Sequence, residues 1–160
     1  MDPMDSVDGR SVPADAAVKG RAPLVYACAG CSSAGQVAYQ LALELDRRGH
    51  AEMSCLAGVA AQKKPFLAKM EDRVVWIIDG CPIECAQGVL DRVGRPAMVH
   101  VRLHEFGIKK HRLPEGGVEL DTLVDQVLAW IEAQTDSAVP PSPADVLPTR
   151  HDHPTRISTL

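Results

Sequence analysis

Aromatic side chains are scarce in this 160-residue chain, at 4%, so Val, Leu, Ile and Ala must supply most of the packing. No apolar run reaches the roughly 18 residues of a membrane span, so no membrane association is expected. Positive charge is not in excess. Lys and Arg number 17 against 21 Asp and Glu, a net charge of -4, which argues against a general nucleic-acid binder and gives no attraction to an acidic membrane surface. The first twenty residues lack the apolar stretch of a secretory signal, and a cytoplasmic location is expected. In that reducing setting, closely spaced cysteines are metal-binding or catalytic rather than a disulfide framework. Their count of five is odd, which suits that reading. A nucleotide fingerprint is missing too: CAGCSSAG has neither the G-x-G-x-x-G spacing nor a P-loop Lys-Ser/Thr.

What is present is an alternation of strand-like and helix-like segments. Residues 1–20 and 136–160 are rich in Asp, Pro, Gly and Ser, and are expected to be disordered tails. Between them, residues 21–135 form one domain. Strands are expected at 24–28 (LVYAC), 52–56, 74–78 (VVWII) and 97–103 (AMVHVRL). VVWII is apolar on consecutive residues, as a strand covered on both faces should be. Helices are expected at 34–48, 64–70, 83–93 and 120–133. Ser32 and Ser33 are candidate caps for the first, Gly49 is its stop, and Pro82 suits the first turn of the third. The order βαβαβαβα predicts a three-layer α/β fold: a mainly parallel four-stranded sheet, Rossmann-like or flavodoxin-like, with helices on both faces. Sites in such sheets lie at the carboxyl ends of the strands.

The cysteines fall at that edge. Cys28 ends the first strand, Cys55 is late in the second, and Cys81 follows the third, while Cys31 and Cys85 begin the next helices. Cys28-x2-Cys31 is a two-ligand bite of the kind found in zinc sites. Cys81-x3-Cys85 is a second if both lie on one helix face. Together they would complete the four thiolates of tetrahedral zinc, with Cys55 as a spare, an alternate ligand or a reactive thiol. Helix N-termini favour thiolate, and basic residues (Lys63, Lys64, Lys109, Lys110 and His111) fall on the loops expected nearby.

Plainer readings stand beside these. A single cysteine in a strand, such as Cys55, is more often packing. Glycines at strand–helix junctions serve tight turns, and an Asp-Gly turn accounts for Asp79 as well as any catalytic duty does. His100 lies inside a strand and reads as structural, whereas His104 and His111 lie nearer the edge. His151 and His153 fall in the C-terminal tail.

In YACAGCSSAGQVA, AEMSCLAGVA, IIDGCPIECA and FGIKKH, together spanning roughly residues 24–111, the chain resembles the DGC-domain family. The family is named for the Asp-Gly-Cys found here as Asp79-Gly80-Cys81. The resemblance implies zinc binding through cysteines, carried here by Cys28, Cys31, Cys81 and Cys85, with Cys55 as another motif cysteine. Three functions follow as expectations. The first is a small intracellular zinc-binding protein, its metal structural or handled for others. The second is a thiol-dependent enzyme of redox, sulfur or selenium transfer, in which Cys31 or Cys85 attacks. The third is an iron–sulfur protein, since four thiolates hold a cluster as readily as zinc.

Overall fold

The structure, a computed structural model, describes residues 20–114 and 116–137. The expected tails therefore lie almost wholly outside the described residues. Four strands, β1 (Leu24–Ala27), β2 (Glu52–Met53), β3 (Val75–Asp79) and β4 (Val99–Arg102), form one sheet in the order β2-β1-β3-β4. Every pairing is parallel, with Leu24 opposite Val75 and Ile77 opposite His100. The two inner strands are buried along their whole length, because helices cover both faces and leave no side for water. β4 is an outer strand and alternates instead. Val99 and Val101 are buried, while His100 and Arg102 are half-buried.

Five α-helices cover the sheet: α1 (Ser33–Arg47), α2 (Leu56–Ala60), α3 (Lys64–Lys69), α4 (Cys85–Val93) and α5 (Leu120–Ser137). α1 and α5 pack together on one face, and α2 packs against α3 and α4 on the other. The expected three-layer α/β fold is therefore the one observed, with a flavodoxin-like strand order. In α1 the buried residues Ala34, Gly35, Val37, Ala38, Leu41, Ala42 and Leu45 make one stripe. Full burial of Leu41 or Leu45 is worth roughly 1.5–3 kcal/mol each. The small residues between them let the helix sit close to the sheet. Ser32 caps this helix, its Oγ accepting from the Gly35 N–H at 3.2 Å. At the other end Arg48 joins Glu44 to Asp121 and Asp125 of α5. Arg47 and Arg48 together hold the Glu44 carboxyl down to about 2.

Three expectations are corrected. β2 is two residues long, and Cys55 lies outside it as the cap of α2, a helix with too short an apolar period to be read from sequence. Pro82 does not open α4. Residues 81–84 form a turn closed by the Glu84 N–H donating to the Cys81 carbonyl at 3.1 Å, and the helix starts at Cys85. α5 runs on to Ser137, past the expected helix end at residue 133.

Gly80 stands where β3 meets the start of α1. A Cβ there would lie 2.5 Å from the Ala34 carbonyl oxygen and 2.8 Å from the Gly35 nitrogen. Both are backbone atoms that cannot rotate aside. Gly80→Ala should therefore cost about 1–3 kcal/mol, as overpacking does. A Cβ on Gly88, inside α4, would meet nothing within 4 Å. Gly88→Ala should stabilise by about 0.5–1 kcal/mol through helix propensity. Urea unfolding midpoints of the two variants, moving in opposite directions from the parent, check both.

Candidate thiol site

The last residue of β3 does not face solvent. Asp79 is 1% exposed, and a buried carboxylate is tolerated only with donors around it. Three are present. Its Oδ1 accepts from the Ala86 N–H at 2.8 Å and its Oδ2 from the Gln87 N–H at 3.1 Å. The His100 Nε2 lies 3.0 Å from Oδ2, and against a carboxylate that nitrogen carries the proton. Ala86 and Gln87 are the second and third residues of α4, so Asp79 caps this helix from the sheet. The local cap position cannot do so: Glu84 sits in the left-handed region at φ 53° and makes no side-chain cap bond. The favoured anion position at the start of α4 is thus taken by Asp79 rather than by a thiolate.

Cys28 follows β1 directly. Its N–H donates to the Ile78 carbonyl at 2.9 Å, which extends the β1–β3 ladder by one residue. Its Sγ, buried in the core, accepts from the Gly80 N–H at 3.2 Å. Burial pushes the Cys28 thiol above its ordinary value of 9.0. The amides of Gly80 and Gly30 pull the other way, and the charges of Asp79 and Cys81 add to the rise. Cys31 is exposed and precedes the Ser32 cap. The loop between these cysteines folds down on α1, so that a Cβ on Gly35 would lie 2.9 Å from the Gly30 nitrogen.

The second pair is not a helical i, i+4 pair. Cys81 is half-buried in the turn, and Cys85 is exposed as the first residue of α4. Arg102 on β4 reaches into this turn, its Nε donating to Glu84 Oε1 at 2.7 Å. That bond, reinforced by the Arg102 charge, holds the Glu84 carboxyl below the usual range. Cys55 is exposed, and its sulfur accepts from the Gly58 N–H at 3.3 Å as the cap of α2.

All five cysteines lie just past the carboxyl ends of parallel strands, as expected, and none is in a disulfide. Cys28 and Cys81 come from neighbouring strand ends, and the Cys81 charge contributes to the raised Cys28 value. Among the described residues no group of three or more His, Cys, Asp or Glu side chains is already gathered as a metal site. Lys63 and Lys64 are exposed at the start of α3. Lys109 and His111 are exposed in a turn closed by the Arg112 N–H on the Lys109 carbonyl. His104, on the 3₁₀ turn Leu103–Phe106, has a buried Nδ1 without a hydrogen-bond partner among the described residues. His151 and His153 lie outside the described residues. No helix among the described residues is long and apolar enough to cross a membrane. Glu84 and Arg102 did not stand out in the sequence, and His100 read as plain structure. The available signal was the alternation in VHVR, which puts His100 and Arg102 on one face of the strand beside Asp79.

Comparison with known proteins agrees with the motif reading. The family model described as the DGC domain matches residues 24–127. The anaerobic and virulence modulator AnvM of Pseudomonas aeruginosa is 47% identical over 90 residues, covering 55% of this chain and 68% of that protein. No solved structure matches.

Burial should separate the thiols chemically. In the metal-free, reduced protein, iodoacetamide should modify exposed Cys31, Cys55 and Cys85 first and Cys28 last, as mass spectrometry of digests can show. The raised Cys28 value also has a sign. Its contribution to stability is fully present below about pH 9, the ordinary value, and is lost as pH rises through the raised one. Unfolding midpoints should fall on the alkaline side, and Cys28→Ala should flatten that fall.

Proposed function

The chain belongs to the DGC-domain family, and from that premise we propose that it is a small intracellular, cytoplasmic protein that binds a thiophilic metal ion, zinc before iron. The donors are Cys28, Cys31, Cys81 and Cys85, with Cys55 as an additional thiol. The observation that carries this reading is convergence. Five reduced thiols from three distant stretches of sequence lie past the ends of three parallel strands, at the edge where such sheets bind ligands.

The donor chemistry fits the group: soft thiolates suit zinc and iron–sulfur clusters. Cys28 and Cys81 follow neighbouring strands, while Cys31 and Cys85 are exposed on a loop and at a helix start. Because Cys31 and Cys85 are exposed, an ion could reach their sulfurs from solvent. A bound cation would stabilise the Cys28 thiolate that burial disfavours by removing water, and its binding would release the thiol protons. The core is apolar and continuous without the metal. Metal at the functional edge of such a fold serves use, in metal handling, more than support.

A second reading, thiol-dependent redox or sulfur or selenium transfer, draws on Cys55. Its sulfur is exposed to solvent and accepts the Gly58 amide hydrogen. At α4 the amides of Ala86 and Gln87 are already taken by Asp79.

Protein purified anaerobically without a His-tag should carry about one zinc per chain, and Cys81→Ser with Cys85→Ser should lose it. Iron with acid-labile sulfide would assign a cluster instead. Less than about half an equivalent of either metal, with the thiols free to titrate, rejects the metal reading.

A further inference from the structure

We propose that His100 and Arg102 of β4 are positioning residues that set the geometry of the Cys81–Cys85 half of the thiol site, an inference that deepens the metal-binding reading and rests on it. The two residues are two positions apart in β4, so their side chains share a face and stand about 6.6 Å from each other along the strand. The register places them beside the end of β3, with His100 opposite Ile77 and Arg102 opposite Asp79. Each holds one carboxylate. His100 takes Asp79 at 3.0 Å, and Arg102 takes Glu84 at 2.7 Å.

Those two carboxylates bracket the cysteines. Asp79 stands two residues before Cys81, and Glu84 one residue before Cys85. Between them the backbone turns tightly, with the Glu84 N–H on the Cys81 carbonyl at 3.1 Å and the Gly88 N–H on the Glu84 carbonyl at 3.0 Å. The turn requires Glu84 at φ 53°, a conformation that a non-glycine residue adopts only when its surroundings hold it there. The Arg102 ion pair supplies that hold from one side, and the α4 hydrogen bonds fixed by Asp79 supply it from the other. The separation and direction of Cys81 and Cys85 are therefore set by the neighbouring strand rather than by the C-x3-C spacing. Loss of Arg102 removes the hold on Glu84, the turn opens, and the two sulfurs no longer keep one relative position.

The test compares Arg102→Gln, Arg102→Lys and Glu84→Gln with the parent. Glu84→Gln breaks the same pair from its other side, should Arg102→Gln fail to fold. In metal-free reduced protein, alkylation of each cysteine is followed by mass spectrometry. Arg102→Gln and Glu84→Gln should speed modification of half-buried Cys81 severalfold while Cys31 and Cys55 keep the parent rate. Arg102→Lys, which keeps the charge, should stay near the parent. Cobalt(II) titration should show the two broken-pair variants weakened about tenfold or more, as for loss of a group that orients metal ligands. It should also show an altered thiolate-to-cobalt absorption band, with Arg102→Lys close to the parent. An unchanged Cys81 rate in both broken-pair variants overturns the proposal. So does acceleration of all cysteines together, which would mark general loosening. If the parent itself binds no cobalt, the metal reading fails, and the alkylation arm still decides the role of Arg102.

Discussion

The Asp79 carboxylate is the joint on which the thiol edge depends. It ends β3, caps α4 through two amides and receives the His100 ring, so a sheet strand, a helix and a neighbouring strand meet on one charged group. Burying such a group is costly, and charge-assisted hydrogen bonds from three donors offset the cost. Because Glu84 offers α4 no cap of its own, the helix start and the turn before it take their position from Asp79. Cys81 and Cys85 inherit that position.

Each residue of the Asp-Gly-Cys triplet thus answers a separate demand. Asp79 supplies a cap across space. Gly80 supplies close approach, since any side chain would strike the backbone of α1, and its amide is spent on the Cys28 sulfur. Cys81 then follows the end of β3, the strand next to the one that Cys28 follows. The loop carrying Cys28 and Cys31 is drawn down in the same way, with Gly35 lying tightly under Gly30. The Gly80 amide on the Cys28 sulfur thereby joins parts of the chain 52 residues apart.

The five thiols are not equivalent once folded. Cys28 belongs to the core and resists ionisation because burial removes water from its sulfur. Cys31 and Cys85 stand in solvent, Cys81 lies between these extremes, and Cys55 is engaged with the amide of Gly58. One buried and several exposed thiols suit the proposed metal site, because a cation would favour the deprotonated form that burial disfavours at Cys28.

The chain by itself determined the layer architecture. Its consecutive apolar runs at β1 and β3 fit only strands covered on both faces, and their alternation with amphipathic helices fits only a parallel sheet. That order alone put every cysteine at the carboxyl edge, because parallel strands share one direction. It could not determine how Cys81 and Cys85 relate. The i, i+4 spacing suggested a helix face, but the left-handed Glu84 and the turn from Cys81 replaced it, and both are held by Arg102 and Asp79. Cys55 looked like part of a strand, yet its sulfur caps a five-residue helix too short to leave a periodic trace. The duties of Asp79, His100 and Arg102 were equally hidden. Each is a contact between strands and a helix distant in sequence, and such pairings are decided by sheet register and packing, which local residue patterns do not encode.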